Sequence, residues 1–148
     1  MHNKNDYPTT NGSYDRTFGG SEEVFISKFN LNLSTLLLLT FVGGNNIDNA
    51  YGIDIDNEGN IYITGYTGGD FPVSENAYDT IRNGYMDAFV TKLNSTLSSI
   101  IYSTYIGGNE NDVAYDIIVT EKGMCNNHWC RQKSIIPYPT TKGAYDRD

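Results

Sequence analysis

The sequence predicts an all-β fold, a partial β-propeller built of four-stranded antiparallel blades. Three observations predict it. The chain repeats itself with a period of 64 residues: "YPTTNGSYD" (Tyr7 to Asp15) returns as "FPVSENAYD" (Phe71 to Asp79), and 71 − 7 = 64. Apolar residues alternate with polar ones inside each repeat. Tyr, Gly, Asn and Thr are abundant while Ala, Glu and Lys are scarce, a balance that favours strands and tight turns over helices.

The period holds without a gap across most of the chain. "EVFISKFN" (Glu23 to Asn30) pairs with "DAFVTKLN" (Asp87 to Asn94), and "TFVGGNNIDNAYGI" (Thr40 to Ile53) with "TYIGGNENDVAYDI" (Thr104 to Ile117). The motif "YPTTKGAYD" (Tyr138 to Asp146) opens another cycle, three residues late, since 138 − 71 = 67. Repeat 1 therefore runs over 7–70, repeat 2 over 71–137, and a third begins at 138–148, all within one propeller fragment.

Each strand has its own signal. "YGIDID" (Tyr51 to Asp56) alternates Ile with Asp, the mark of a half-buried strand. "DNEGN" then turns the chain, since Gly59 can take positive φ and Asn and Asp close turns with their side chains. "NIYITGY" (Asn60 to Tyr66) completes a hairpin. "DAFVTKL" (Asp87 to Leu93) is a third strand, with Ala88, Val90 and Lys92 on one face, and "SIIYSTYI" (Ser99 to Ile106) a fourth. "GGN" ends it, and the cycle restarts at "AYDIIVT" (Ala114 to Thr120). Residues 22–42 then supply the last two strands of one blade, 50–107 a complete blade, and 114–121 the start of another.

These runs resemble the SBBP repeat, a β-propeller repeat of bacteria and archaea. The resemblance rests on "STYIGGNENDVAYDI", "AYGIDIDNEGNIYITGYT", "DFPVSENAYDT" and "DAFVTKLN". It implies a propeller, and a place in a large cell-surface or extracellular protein. It implies no set of catalytic residues.

A length of 148 residues holds about 2.3 repeats (148/64), too few to close a ring of about four to eight blades. The expected partners are further blades, from the same chain or a neighbouring one. An open pair of blades should expose apolar faces: Leu37, Leu39 and Phe41 on one side of their strand, Leu36 and Leu38 on the other, which favours association and poor solubility. The net charge of −8 with no basic stripe argues against a nucleic-acid partner. The longest aliphatic run, Leu36 to Leu39, is too short for a membrane span. No basic segment with an apolar stretch follows Met1, so no signal peptide is visible, and a cytoplasmic chain or a missing N-terminus would each account for that.

Chemistry is sparsely signalled. Asp54, Asp56 and Glu58 in "DIDNEG" resemble the start of a calcium loop, but Gly65 stands where such a loop needs Glu, and the next repeat has Ile118, Thr120 and Lys122. Turn-building is the expected role, with calcium the weaker one. Asp48 and Asp112 recur beside the Gly-Gly turns and suit capping better than cation binding. Asn11, Asn32 and Asn94 head short glycosylation-type triplets. No Ser-His-Asp set is present: His2 lies near the terminus and His128 in an anomalous stretch. The expected function is a non-catalytic structural or binding module, with a protein or carbohydrate ligand. A fragment of a propeller glycosidase or lyase is the alternative.

The anomalous stretch is "GMCNNHWCRQKSII" (Gly123 to Ile136), which holds the only Trp and both Cys. Cys125, His128 and Cys130 suggest a metal site, with no clear fourth ligand. By period, these residues fall where "IYITGY" should recur. Reading the implied codons one base later gives Val or Ala at 125, Ile or Thr at 126–128, and Gly at 129, opposite Gly65. A shifted reading frame over 124–137 is the preferred account, and the strand pattern is expected to break there.

Overall fold

The computed structural model describes residues 7–120 and the strand 125–131. The strands are β1 (Val24–Phe29), β2 (Leu36–Val42), β3 (Asp48–Ile55), β4 (Ile61–Thr67), β5 (Asp87–Leu93), β6 (Ile100–Ile106), β7 (Asp112–Val119) and β8 (Cys125–Arg131). They form three antiparallel sheets: β1-β2, β3-β4-β5-β6 and β7-β8. The middle sheet is a whole blade, flanked by the second half of one blade and the first half of another. The fold is a partial propeller, as the repeat predicts, with β3 and β7 beginning two residues earlier than expected, at the aspartates.

The first strand of each blade is innermost. β7 packs on β3 and β4 and more lightly on β5. Gly52 marks the closest approach: a Cβ there would stand 2.9 Å from the Cα of Asp116. Only a residue without a side chain lets two inner strands come so near.

The faces of the middle blade are set by alternation. Ile61, Ile63, Phe89 and Leu93 share one face, which closes on Val24, Ile26 and Val42 of the first blade. Phe71 enters this core from the preceding loop and stacks on Phe89 at 4.1 Å between centroids. The "YPTT" and "FPVS" motifs have a common purpose. Thr10 brackets Leu39, its Oγ1 accepting from Leu39 N–H and its N–H donating to Leu39 C=O. Ser74 does the same to Ser103, one repeat later. Asp15 and Asp79 then bond Thr40 and Thr104. Each motif is a strap that covers the outer edge strand of its blade and shields it from stray pairing.

Two expectations need correction. Leu39 and Phe41 are not open on their face: they are buried, with Phe41 beneath Tyr7 and Phe18 at 5.7 and 5.8 Å. Leu37 alone of that face is exposed, and Leu38 packs against the core. The anomalous stretch does not break the strand pattern. β8 pairs with β7 from Asp112↔Arg131 to Val119↔Cys125, the 64-residue translate of Asp48↔Thr67 to Ile55↔Ile61. Even the bulge recurs, at Ala50/Gly52 and Ala114/Asp116. Backbone pairing does not read side chains, and β7 offers a full ladder, so the partner sets the conformation over local propensity. The rest of that stretch, His2 and the third repeat at 138–148 lie outside the described residues.

Candidate functional site

The bulges place two exposed tyrosines side by side. Tyr51 is the extra residue between Ala50 and Gly52, and Tyr115 the extra residue between Ala114 and Asp116. A bulge turns its surplus residue out of the regular ladder. The two rings, from adjacent inner strands, stack at 5.3 Å and 19°. Tyr66 joins Tyr51 at 5.9 Å. Asn49 Nδ2 donates to Tyr66 Oη at 3.1 Å and to Glu22 Oε2 at 2.9 Å. Burial raises the Tyr66 pKa, and Tyr51 and Glu22 beside it raise it further. Tyr51 and Tyr115 stay about half exposed despite their stacking. The result is a polar-edged aromatic ladder along the inner strands. Its sequence signal was the "Ala-Tyr" pair repeating at 64 residues, which aligned the repeats but said nothing about the bulge.

A belt of buried carboxylates lies at one end of the blades. Asp48, Thr67 and Asp87 are cross-strand neighbours in one row, and all three are fully buried. Asp48 Oδ2 accepts from Gly44 N–H at 2.8 Å, and Asp112 Oδ2 from Gly108 N–H at 2.6 Å. Asp87 accepts from Asn83 and Gly84, both at 2.8 Å, and Glu23 from Gly19 at 2.8 Å. Glu23 is the repeat counterpart of Asp87, and Asp48 of Asp112. The Gly-Gly motif follows from this packing: a Cβ on Gly107 would stand 2.9 Å from Asp112 Oδ2 and 3.0 Å from Asp87 Cγ.

Burial raises the pKa of Glu23, Asp48 and Asp87. Backbone bonds oppose it at all three, and the neighbouring Asp48 and Asp112 charges reinforce it at Glu23 and Asp87. Asp48 Oδ1 is buried with no hydrogen-bond partner. The Thr67 hydroxyl nearby lowers the Asp48 pKa without meeting the geometry of a bond to Oδ1. A proton retained by Asp48 belongs on that atom, because the other oxygen already accepts.

The three calcium candidates do not gather at one point: Asp56 and Glu58 meet at Asn60 Nδ2, while Asp54 turns to the next blade. Asp56 closes its own turn, accepting from Glu58 N–H at 3.0 Å, Asn60 N–H at 2.9 Å and Asn60 Nδ2 at 2.9 Å, and pairs with Lys92 Nζ at 3.1 Å. Burial raises its pKa, but these bonds outweigh it and hold the carboxyl well below the usual range. Glu58 accepts from Asn60 at 3.2 Å. Asp54 leaves the turn: Oδ2 accepts from Val119 N–H at 2.7 Å, tying the middle blade to the next. That bond and one from Ile55 N–H lower its pKa. Among the described residues no group of three or more His, Cys, Asp or Glu is placed to hold a metal. The side chains of Cys125, His128 and Cys130 lie outside the described residues. Of the glycosylation-type residues, Asn94 spends its side chain on its turn, accepting from Ser98 and Ser99.

Straps, Gly-Gly turns and three stepped sheets define a segment of a β-propeller. Residues 38–72 match the profile of the SBBP family, described as a beta-propeller repeat. That stretch is thus similar to an SBBP repeat, and the matched span runs from within β2 to just past the Phe71 that plugs the core. No curated protein matches the chain.

Proposed function

We propose that this chain is a non-catalytic structural and binding module of a larger cell-surface or secreted β-propeller protein, with a carbohydrate as its ligand. The bulge-presented Tyr51–Tyr115 pair carries the reading: an exposed aromatic edge, repeated by the period of the fold, beside the acceptors of Glu22 and Asn49. Saccharide C–H faces pack on aromatic rings, and their hydroxyls need such acceptors. The carboxylates of Glu23, Asp48, Asp87 and Asp112 support a structural role, since each bonds the backbone N–H of a turn. Affinity electrophoresis through gels cast with soluble polysaccharides tests it. Retardation by at least one polysaccharide is expected, and Tyr51→Ala with Tyr115→Ala should remove it. Hydrolysis or elimination of the polysaccharide by the wild-type chain would instead establish the propeller-enzyme reading.

A further inference from the structure

We propose that Asn11 is a deamidation site, converted through a succinimide to aspartate and isoaspartate, and that its isoaspartyl form loosens the strap over β2. The sequence holds two Asn-Gly pairs, Asn11-Gly12 and Asn83-Gly84. Glycine matters because the missing Cβ lets its backbone nitrogen approach the preceding side chain closely. The two pairs share a sequence and differ in their surroundings.

Asn11 and Gly12 are the central residues of a turn from Thr10 to Ser13. Gly12 takes φ of +81° while Asn11 stays at negative φ, the pattern of a type II turn. Ser13 closes it, with its N–H at 3.3 Å and its hydroxyl at 2.8 Å from the Thr10 carbonyl. Both central residues are exposed. Among the described residues nothing bonds the Asn11 side chain or the Gly12 N–H. A Cβ on Gly12 would meet nothing within 4 Å, so the peptide has room to turn. Asn83-Gly84 is held at every atom the reaction needs. Gly84 N–H donates to Asp87 Oδ1 and Asn83 N–H to Asp87 Oδ2, both at 2.8 Å. Asn83 Nδ2 donates to Asp79 Oδ2 at 3.2 Å and to the Ile81 carbonyl at 3.0 Å. The Glu110 carbonyl also stands against Gly84 and blocks its peptide from swinging.

The reaction needs only water. The Gly12 backbone nitrogen gives up its proton and attacks Asn11 Cγ. The N–Cγ bond forms, the Cγ–Nδ2 bond breaks, and ammonia leaves with that proton. Water then opens the ring at Cγ to give aspartate, or at the main-chain carbonyl to give isoaspartate, and nothing is oxidised or reduced. The strap tolerates one product and not the other. Aspartate puts a carboxylate where the next repeat has Glu75, which is also exposed. Glu75 belongs to the middle blade, which has a sheet on each side, so exposure at this position is a property of the strap. Isoaspartate instead adds a methylene to the main chain between two anchors, Thr10 on Leu39 and Tyr14 N–H on the Leu97 carbonyl at 2.7 Å. The two anchors then no longer fit together, and the edge of β2 loses its cover.

Ageing the full chain in neutral buffer, followed by peptide mapping, tests the site. Trypsin separates the two pairs, cutting after Lys4 and Arg16 and after Arg82 and Lys92. In the folded chain Asn11 should exchange NH₂ for OH at least about tenfold faster than Asn83, because one hydrogen bond to a charged group is worth that factor. In urea the two rates should converge. Equal rates in the folded chain, or a contrast that survives in urea, overturns the assignment. Amide exchange at Leu39 reads the strap, since its N–H donates to Thr10 Oγ1 at 3.0 Å. The isoaspartyl form should lose most of that protection, and Asn11→Asp should keep it. Equal protection in these two forms overturns the link between the modification and the strap.

Discussion

At the scale of single residues, the repeat supplies paired sites that differ only in their surroundings. Leu33 and Leu97 occupy the same turn position with φ of 56° and 54°. A left-handed backbone costs a residue with a Cβ about 1–2 kcal/mol, which Gly avoids at an entropic cost of about 0.5–1 kcal/mol. Leu97 is fully buried, but Leu33 is 76% exposed and gains nothing for its strain. Leu33→Gly should therefore stabilise the chain by about 0.5–1 kcal/mol, and Leu97→Gly should destabilise it by about 2–5 kcal/mol through the lost core side chain. Urea unfolding reads both, and equal shifts would contradict the argument. The carboxylates make a second test. Glu23, Asp48 and Asp87 hold protons more tightly folded than unfolded, because burial raises their pKa. Between the ordinary carboxylate range and the raised values the native state binds more protons, so stability falls as pH rises through that window. Asp54 and Asp56, with lowered pKa, contribute stability above the ordinary value of 3.8 that is lost as pH falls through their folded values. Calorimetric midpoints should peak near the ordinary carboxylate range and decline on both sides. Asp87→Asn should flatten the decline at higher pH. It should also cost about 1–3 kcal/mol, because an amide NH₂ then confronts the N–H of Asn83 or Gly84. A midpoint that climbs steadily to neutrality would refute the assignment.

At the scale of elements, the strands were legible because period-2 alternation and the 64-residue translation reinforced each other. Strand order followed from the blade, and Gly59 takes the positive φ its turn requires. Three features were not legible. Straps such as Thr10 on Leu39 pair through main chain, which leaves little trace in side-chain pattern. The bulge at Tyr51 depends on register, which no single strand encodes. Gly65, the residue opposite it, would drive a Cβ into the Asn49 carbonyl, a constraint visible only once β3 and β4 are paired. The third is β8, whose composition argued against a strand while its partner imposed one. Composition should still limit how firmly it pairs, since Asn is a poor strand former. Replacing positions 125–131 with the "IYITGYT" of β4 should increase amide-exchange protection across β7 and β8. Unchanged protection would show that pairing to β7 alone sets the stability of this hairpin. The shifted coding frame over 124–137 makes an independent prediction at this scale. The nucleotide sequence read one base later should encode a strand-like segment without a stop.

At the scale of the whole molecule, stability is a sum over blades and the interfaces between them, each blade contacting only its neighbours. The middle blade has a neighbour on each side, but over its inner half on only one. Ile117 and Ile53 measure that difference with one chemistry. Both are Ile on an innermost strand, both alternate toward the preceding blade, and they lie one repeat apart. Ile117→Ala removes a fully buried side chain and should cost about 2–5 kcal/mol in the isolated chain. Ile53→Ala trims a side chain that water already reaches and should cost under about 0.5 kcal/mol there. The gap is the worth of the inner half-blade that β7 finds in β4 and β3 does not find in the first blade. Chemical unfolding of both variants tests this, and equal costs would show that β4 and β5 give Ile117 no shelter that Ile53 lacks.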